Sequence, residues 1–142
     1  MNAEMSALYA PRSANFSTAQ SAAVEEVLAT RDDEFVATVV AFVGDSPAGH
    51  AALRPAPGEL RGTLEVKKVF VTVPFRGRGI SKQLMLELER VAVEHGADRL
   101  VLQTGNLQTE AISLYEGLGY SAIPPYGGYD VIPDALCFEK VL

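Results

Sequence analysis

Val69-Phe70-Val71-Thr72-Val73-Pro74-Phe75-Arg76-Gly77-Arg78-Gly79-Ile80-Ser81, continuing through Lys82 to His95, is the stretch whose reading decides the fold. Its β-branched start predicts a strand, its glycines a sharp turn, and Ile80, Leu84, Leu88, Val91 and Ala92 the buried stripe of an amphipathic helix. Met85 and Leu86 widen that stripe, so burial over much of the helix's girth is expected, with Gly96 as its C-terminal cap. A strand that empties into glycines at a helix start gathers backbone N–H groups into a nest that favours an anion, most often a phosphate. Arg76 and Arg78 add mobile positive charge beside it.

Upstream, Ser17 and Gln20 have capping-box spacing, and Val24, Val27 and Leu28 recur on one face, predicting a helix from about Thr18 to Ala29. Phe35 to Val43 reads as a strand buried on both faces, turned by Gly44-Asp45-Ser46-Pro47 into a second strand, Gly49 to Leu53. Arg54 to Gly62 reads as an exposed loop and Thr63 to Val73 as a third strand. Alternation there puts Glu65, Lys67, Val69, Val71 and Val73 on one side unless a bulge intervenes. Downstream come a strand from Arg99 to Thr104 and a helix from Thr109 to Leu118, with Ala111, Leu114, Tyr115 and Leu118 on one stripe. Tyr120 to Ile123 is a strand fragment, Pro124 to Tyr129 a loop, and Leu136 to Leu142 a final strand. The order predicts a mixed α/β (α+β) fold, a sheet with helices packed on it.

At 142 residues the chain is expected to be one domain, residues 1–142. Its 48% apolar and 21% charged residues are globular values. Net charge −6 argues against a nucleic-acid surface, which needs a clustered basic face. No apolar run is long enough to span a bilayer, so no membrane is expected as a partner. The amino terminus shows no secretory pattern, and the one cysteine, Cys137, fits a reducing cytoplasm. His50, His95 and Cys137 have no metal-ligand spacing, so no metal is expected. Cys137, with no nearby histidine in sequence, reads as a small buried hydrophobe.

Arg76-Gly77-Arg78-Gly79-Ile80-Ser81 resembles the signature of the GNAT superfamily, the acetyl-CoA-dependent N-acetyltransferases: Arg or Gln, two residues, Gly, one residue, then Gly or Ala. Ser81 departs at the last position. About thirty residues on, Ala111-Ile112-Ser113-Leu114-Tyr115-Glu116-Gly117-Leu118-Gly119-Tyr120 is similar to that family's A-x-x-L-Y-x-x-x-G-[FY] helix and strand. The likeness covers roughly Phe35 to Leu142 and implies a mostly antiparallel central sheet of about six strands with helices on both faces. Within the family, Glu65 to Val71 and Cys137 to Leu142 look like a bacterial group acting on small molecules. Family members usually begin with a strand ahead of the first helix. This chain shows none, so the sheet lacks an edge strand or a partner chain covers that edge, and a homodimer is expected.

The resemblance implies transfer of an acetyl group from acetyl-CoA to a primary amine of a small molecule, by direct attack in a ternary complex. The pyrophosphate would lie on Gly77, Arg78, Gly79, Ile80 and Ser81, with Arg76 and Arg78 at the phosphates. The pantetheine would bond the backbone of Val69 and Val71, with Gln108 offering an amide where relatives often carry Asn. Tyr115, with a reference pKa of about 10, stays protonated at neutral pH and would supply the proton to the leaving thiolate. On periodicity alone it reads instead as a core tyrosine with its hydroxyl at the rim, and the motif is what favours the functional role. Glu65 stands where some relatives carry a general base. It reads as that base, working through water or with a pKa raised by burial, or as a carboxylate facing solvent or paired with Lys67 or Lys68. Tyr126 and Tyr129 read as walls of an acceptor pocket or as loop anchors. A non-catalytic acyl-CoA sensor is the alternative, and a nucleoside-triphosphate site lacks the Gly-Lys-Ser/Thr ending it would need.

Overall fold

The computed structural model describes residues 34–58, 61–105 and 108–142; the expected helix from about Thr18 to Ala29 lies outside them. Six strands form one sheet: β1 (Ala37–Val43), β2 (Ser46–Pro55), β3 (Thr63–Val71), β4 (Arg99–Gly105), β5 (Ser121–Ile123) and β6 (Ala135–Val141). Helix α1 (Ile80–Glu94) joins β3 to β4, and α2 (Thr109–Gly117) joins β4 to β5. The spatial order is β1-β2-β3-β4-β6-β5. Only β3 and β4 run parallel; every other neighbouring pair is antiparallel. This is the expected mixed, mostly antiparallel α/β architecture.

One core holds both described helices against the same face of the sheet. Ile80, Leu84, Met85, Leu88 and Ala92 of α1 and Tyr115 of α2 meet Leu53, Val66, Leu100, Leu102 and Phe138 of the strands. Helix α1 approaches β2 closely because Gly49 has no side chain. A Cβ there would stand 2.6 Å from the Phe70 carbonyl oxygen and 3.3 Å from Leu84 Cδ1. Burial of α1 is narrower than its composition suggested: Met85 is buried, but Leu86 is 47% exposed. Gly96 ends the helix in the left-handed region, φ 81°.

The opposite face carries a smaller cluster of Tyr129, Ile132 and Cys137, packed by Ile123, Tyr126 and Ala135. Two expectations fail here. The Phe35–Val43 run is not buried on both faces: β1 is the outermost described strand on its side, and Val40 and Phe42 are 49% and 61% exposed. A continuous apolar run marks a strand, but does not tell an edge from a centre. Arg54, expected in an exposed loop, instead lies within β2 and is buried. It is tolerated there because carboxylates meet its charge, as described below.

Candidate functional site

β3 and β4 pair only at Thr63 with Arg99, Leu64 with Leu100, and Glu65 with Val101. β3 then continues to Val71, while β4 stays paired to β6 as far as Gly105 with Ala135. The two parallel strands therefore part just after Glu65 and Val101, at their carboxyl ends, where open α/β sheets receive ligands. A bulge follows at once. Lys68 has φ 56°, and the β2 register moves from Ala52–Lys67 to His50–Phe70 across it. The extra residue turns the strand over. Glu65 and Lys67 lie on the Tyr129 face, whereas Val69 and Val71 join the helix-side core. The uninterrupted alternation expected from sequence is corrected accordingly.

The strand leads through Thr72 and a 3₁₀ turn, Val73–Phe75, into the glycines. Gly77 and Gly79 have φ 78° and 75°, and a Cβ at either would meet nothing within 4 Å. The turn into α1 is thus open over both glycines, and no carboxylate lies in the helix's first turn. Ile80 is buried and plugs the turn into the core, while Ser81 is half-buried. Arg76 folds back on the strand end: its Nε donates to the Val71 carbonyl at 2.9 Å, and its guanidinium lies 5.5 Å from the Phe70 ring centre. Arg78 lies 5.4 Å from the Phe75 ring centre. The Val71 carbonyl is therefore already engaged, although its backbone was expected to be a partner for a bound ligand.

On the other lip of the opening, Gln108 caps α2. Its N–H donates to the Gly105 carbonyl at 3.1 Å, and its own carbonyl accepts from Ile112 at 3.0 Å. Tyr115 is buried on the inner stripe of α2, edge-on to Tyr120 at 5.9 Å and tilted against Phe138 at 6.4 Å. Tyr120 in turn donates its hydroxyl to Glu89 at 3.0 Å; burial, reinforced by that carboxylate, raises its pKa above the ordinary value. The glycine turn, Gln108 and Tyr115 thus share the helix side. Glu65 stands on the other face, at the apex of the opening.

Glu65 is fully buried. Its Oε1 accepts from Arg54 Nε at 2.6 Å, and its Oε2 accepts from the Tyr126 and Tyr129 hydroxyls at 2.6 and 2.8 Å. Arg54 also donates to Glu34 at 2.8 Å and to the Tyr129 oxygen at 3.3 Å. Burial works against the Arg54 charge, but Glu65 and Glu34 outweigh it and hold its pKa above the ordinary value. Burial, then the Glu65 charge, pushes both tyrosines up, so they remain hydrogen-bond donors. Lys67 Nζ donates to the Tyr129 oxygen at 3.0 Å; its burial lowers its pKa, with Glu65 opposing. Sequence reading gave neither Arg54 nor Glu34 a place in the site, because the register that sets Arg54 opposite Glu65 is decided by the pairing of β2 with β3 and not by local sequence.

Comparison with known proteins agrees with this geometry. Residues 3–120 match the model of the acetyltransferase (GNAT) family. The chain is 37% identical over 78 residues to an IAA acetyltransferase of Azospirillum brasilense, covering 55% of this chain and 51% of that protein. It is 36% identical over 89 residues to N-acetyltransferase family 8 member 2 of Rattus norvegicus, covering 61% and 39%. The chain thus spans about half, or less, of these relatives' length. Among solved structures, a Bacillus subtilis acetyltransferase in complex with CoA superposes with a TM-score of 0.65 at 23% identity, over 88% of this chain and 86% of that one. Parted parallel strands below a glycine-opened helix, within a sequence that the family model covers over most of its length, lead to one assignment: this chain belongs to the GNAT acetyltransferase family.

Proposed function

We propose that the chain is an N-acetyltransferase that moves an acetyl group from acetyl-CoA to a primary amine of a small molecule, by direct attack in a ternary complex. The observation that carries this reading is the parting of β3 from β4 directly after Glu65 and Val101, beneath a helix whose N-terminus is opened by two left-handed glycines. The residues present fit such a donor. The space over Gly77 and Gly79 is open, and the buried Thr104 hydroxyl on β4 has no partner among the described residues. Acetyl-CoA supplies the activated acetyl thioester.

In this reading the N–H groups of Gly77, Arg78, Gly79, Ile80 and Ser81 hold the pyrophosphate, because no Cβ at either glycine blocks close approach. Arg76 and Arg78 reach the phosphates from the strand end and from the turn. The Val69 and Val71 backbone lines one side of the opening, where a pantetheine arm adds in the manner of a strand, and Gln108 faces it from the other lip. An N–H of the β3 edge stabilises the oxygen that gains charge during attack. Tyr115 Oη holds the proton for the departing thiolate. Glu65, committed to Arg54, Tyr126 and Tyr129, is read as the holder of the tyrosine loop, and the amine's proton goes to solvent. That commitment is also the observation in favour of the second reading, a non-catalytic acyl-CoA-binding module, since no described carboxylate at the apex is left to take a proton.

A single domain over residues 1–142, a cytoplasmic location and a homodimer belong to the same proposal. One buried cysteine supports the second, and the exposed outer strand β1 supports the third. No described helix is long and apolar enough to cross a membrane. Purified protein with acetyl-CoA and a panel of amines, followed by thiol release, tests the reading. Turnover with any amine supports it. Thermal stabilisation by CoA without turnover leaves the binding module, and neither effect overturns both.

A further inference from the structure

We propose that Lys67 and Gln103 form a carboxylate-binding subsite for the acceptor, so that the amine acetylated is carried by an amino-carboxylate, a zwitterion of the amino-acid type. This rests on the acetyl-transfer reading and goes further by naming the acceptor's second charged group.

The two side chains flank the opening. The last residues of β3 and β4 to pair are Glu65 and Val101. Lys67 and Gln103 stand two residues farther along each strand, ahead of the Lys68 bulge, and so keep the same facing. Lys67 is fixed on the Tyr129 face by its bond to that hydroxyl. Gln103 is fixed there by register: it lies opposite Cys137 of β6, which packs with Tyr129 and Ile132.

Among the described residues both groups hold unused donors. The Lys67 ammonium has three N–H bonds, yet among the described residues its only partner is Tyr129, whose oxygen is 3.0 Å away and whose ring centre is 5.3 Å away. Gln103 Nε2 is buried and has no partner among the described residues. Among the described residues neither group hydrogen-bonds any other member of the neighbouring cluster. Glu65 gives one oxygen to Arg54 and the other to two tyrosines, and Glu34 is held by Arg54. The Tyr129 oxygen already accepts from Arg54 and Lys67 while donating to Glu65. Two donors facing one opening, one of them cationic, match the two oxygens of a carboxylate.

Charge balance selects the rest of the molecule. Among the described residues of the cluster, Glu34 and Glu65 offset Arg54 and Lys67, while Tyr126 and Tyr129 stay neutral. A simple anion would leave this half-closed cluster with an excess negative charge, and a simple ammonium with an excess positive one. A zwitterion adds none, and its carboxylate gives the buried Lys67 ammonium hydrogen-bond acceptors.

The experiment uses the twenty proteinogenic amino acids and β-alanine, each paired with its carboxamide, against wild type, Lys67→Met, Lys67→Arg and Gln103→Leu. CoA-induced thermal stabilisation serves as the check that each variant is folded. The wild type is expected to favour the best free acid over its carboxamide by tenfold or more in kcat/KM. Lys67→Met should narrow that ratio to within twofold, mainly through KM; Lys67→Arg should restore most of it, and Gln103→Leu should reduce it about threefold. Equal use of acid and carboxamide by the wild type, or a preference that survives in Lys67→Met, overturns the subsite while acetyl transfer stands. If no amine is turned over, calorimetric titration of the same pairs into the CoA-bound protein decides. Carboxylate-selective binding lost in Lys67→Met upholds the subsite although acetyl transfer has failed, and unselective or absent binding overturns it.

Discussion

Arg54 Nε lies 2.6 Å from Glu65 Oε1, and the two residues are register partners across β2 and β3. Glu65 is also the last residue of β3 to pair with β4, so this ion pair sits at the point where the sheet opens. A fully buried carboxylate survives there because a guanidinium and two phenols satisfy it.

Removing that carboxylate should therefore act on stability and on the loop before it acts on chemistry. Glu65→Ala strands the Arg54 charge and two hydroxyls, at a cost of about 3–5 kcal/mol, and a large fall in Tm is expected. Glu65→Gln keeps the shape but loses the charge. It should lower Tm less and raise the acceptor KM, because Tyr126 and Tyr129 lose their anchor. A Glu65→Gln enzyme with unchanged Tm and KM, but a tenfold lower kcat whose acid limb has vanished, would show a general base instead.

Tyr115 is the proposed proton donor, and its ring packs against Tyr120 and Phe138 whether or not the hydroxyl is used. Tyr115→Phe should leave Tm and CoA affinity close to wild type while kcat falls tenfold or more. The measurement is steady-state thiol release beside a CoA titration. An unchanged kcat would return Tyr115 to a purely packing role.

His50 offers a test of pH dependence away from the proposed chemistry. Its ring stacks on Phe70 with centroids 5.8 Å apart, and burial, with the Lys68 charge assisting and a bond to the Lys68 backbone opposing, lowers its pKa from 6.5. The unfolded imidazole thus takes up a proton at higher pH than the folded one. Above pH 6.5 both are neutral and the residue costs nothing; as pH falls below 6.5 the unfolded state gains, and stability is lost until the folded value is reached. Melting curves at pH 7.5 and 5.5 should show a smaller drop for His50→Gln than for wild type, by about 2 °C.

The elements, their order and the sheet type were legible because apolar periodicity and glycine punctuation are local. Strand Thr63–Val71 followed by helix Ile80–Glu94 was readable within a few residues. What escaped is non-local. Glu65 meets Tyr126 and Tyr129 across 61 and 64 residues, a contact decided by how β6 returns beside β4. The Lys68 bulge escaped for a different reason. A lysine carries no sign of a left-handed φ, yet it reverses which valines face the core. Arg54 was placed in a loop because the Pro55 and Pro57 beside it suggest one. Its partner lies eleven positions on, in the next strand.

Gly77 and Gly79 provide the most direct test of the anion cradle. Both are left-handed, and a methyl group at either would touch nothing in the protein, so steric conflict with the fold is absent. Alanine at either site meets only backbone strain, about 1–2 kcal/mol from the left-handed conformation. Gly49→Ala is the contrasting control: its φ is ordinary, but its Cβ would press on the Phe70 carbonyl, so it should lose stability by overpacking. If the space over the turn is where a pyrophosphate sits, Gly77→Ala and Gly79→Ala should weaken CoA binding tenfold or more while lowering Tm by only a few degrees. Gly49→Ala should lower Tm at least as far, with CoA affinity changed less than threefold. Loss of CoA affinity that merely tracks loss of Tm across all three variants would remove the glycine turn from the binding site.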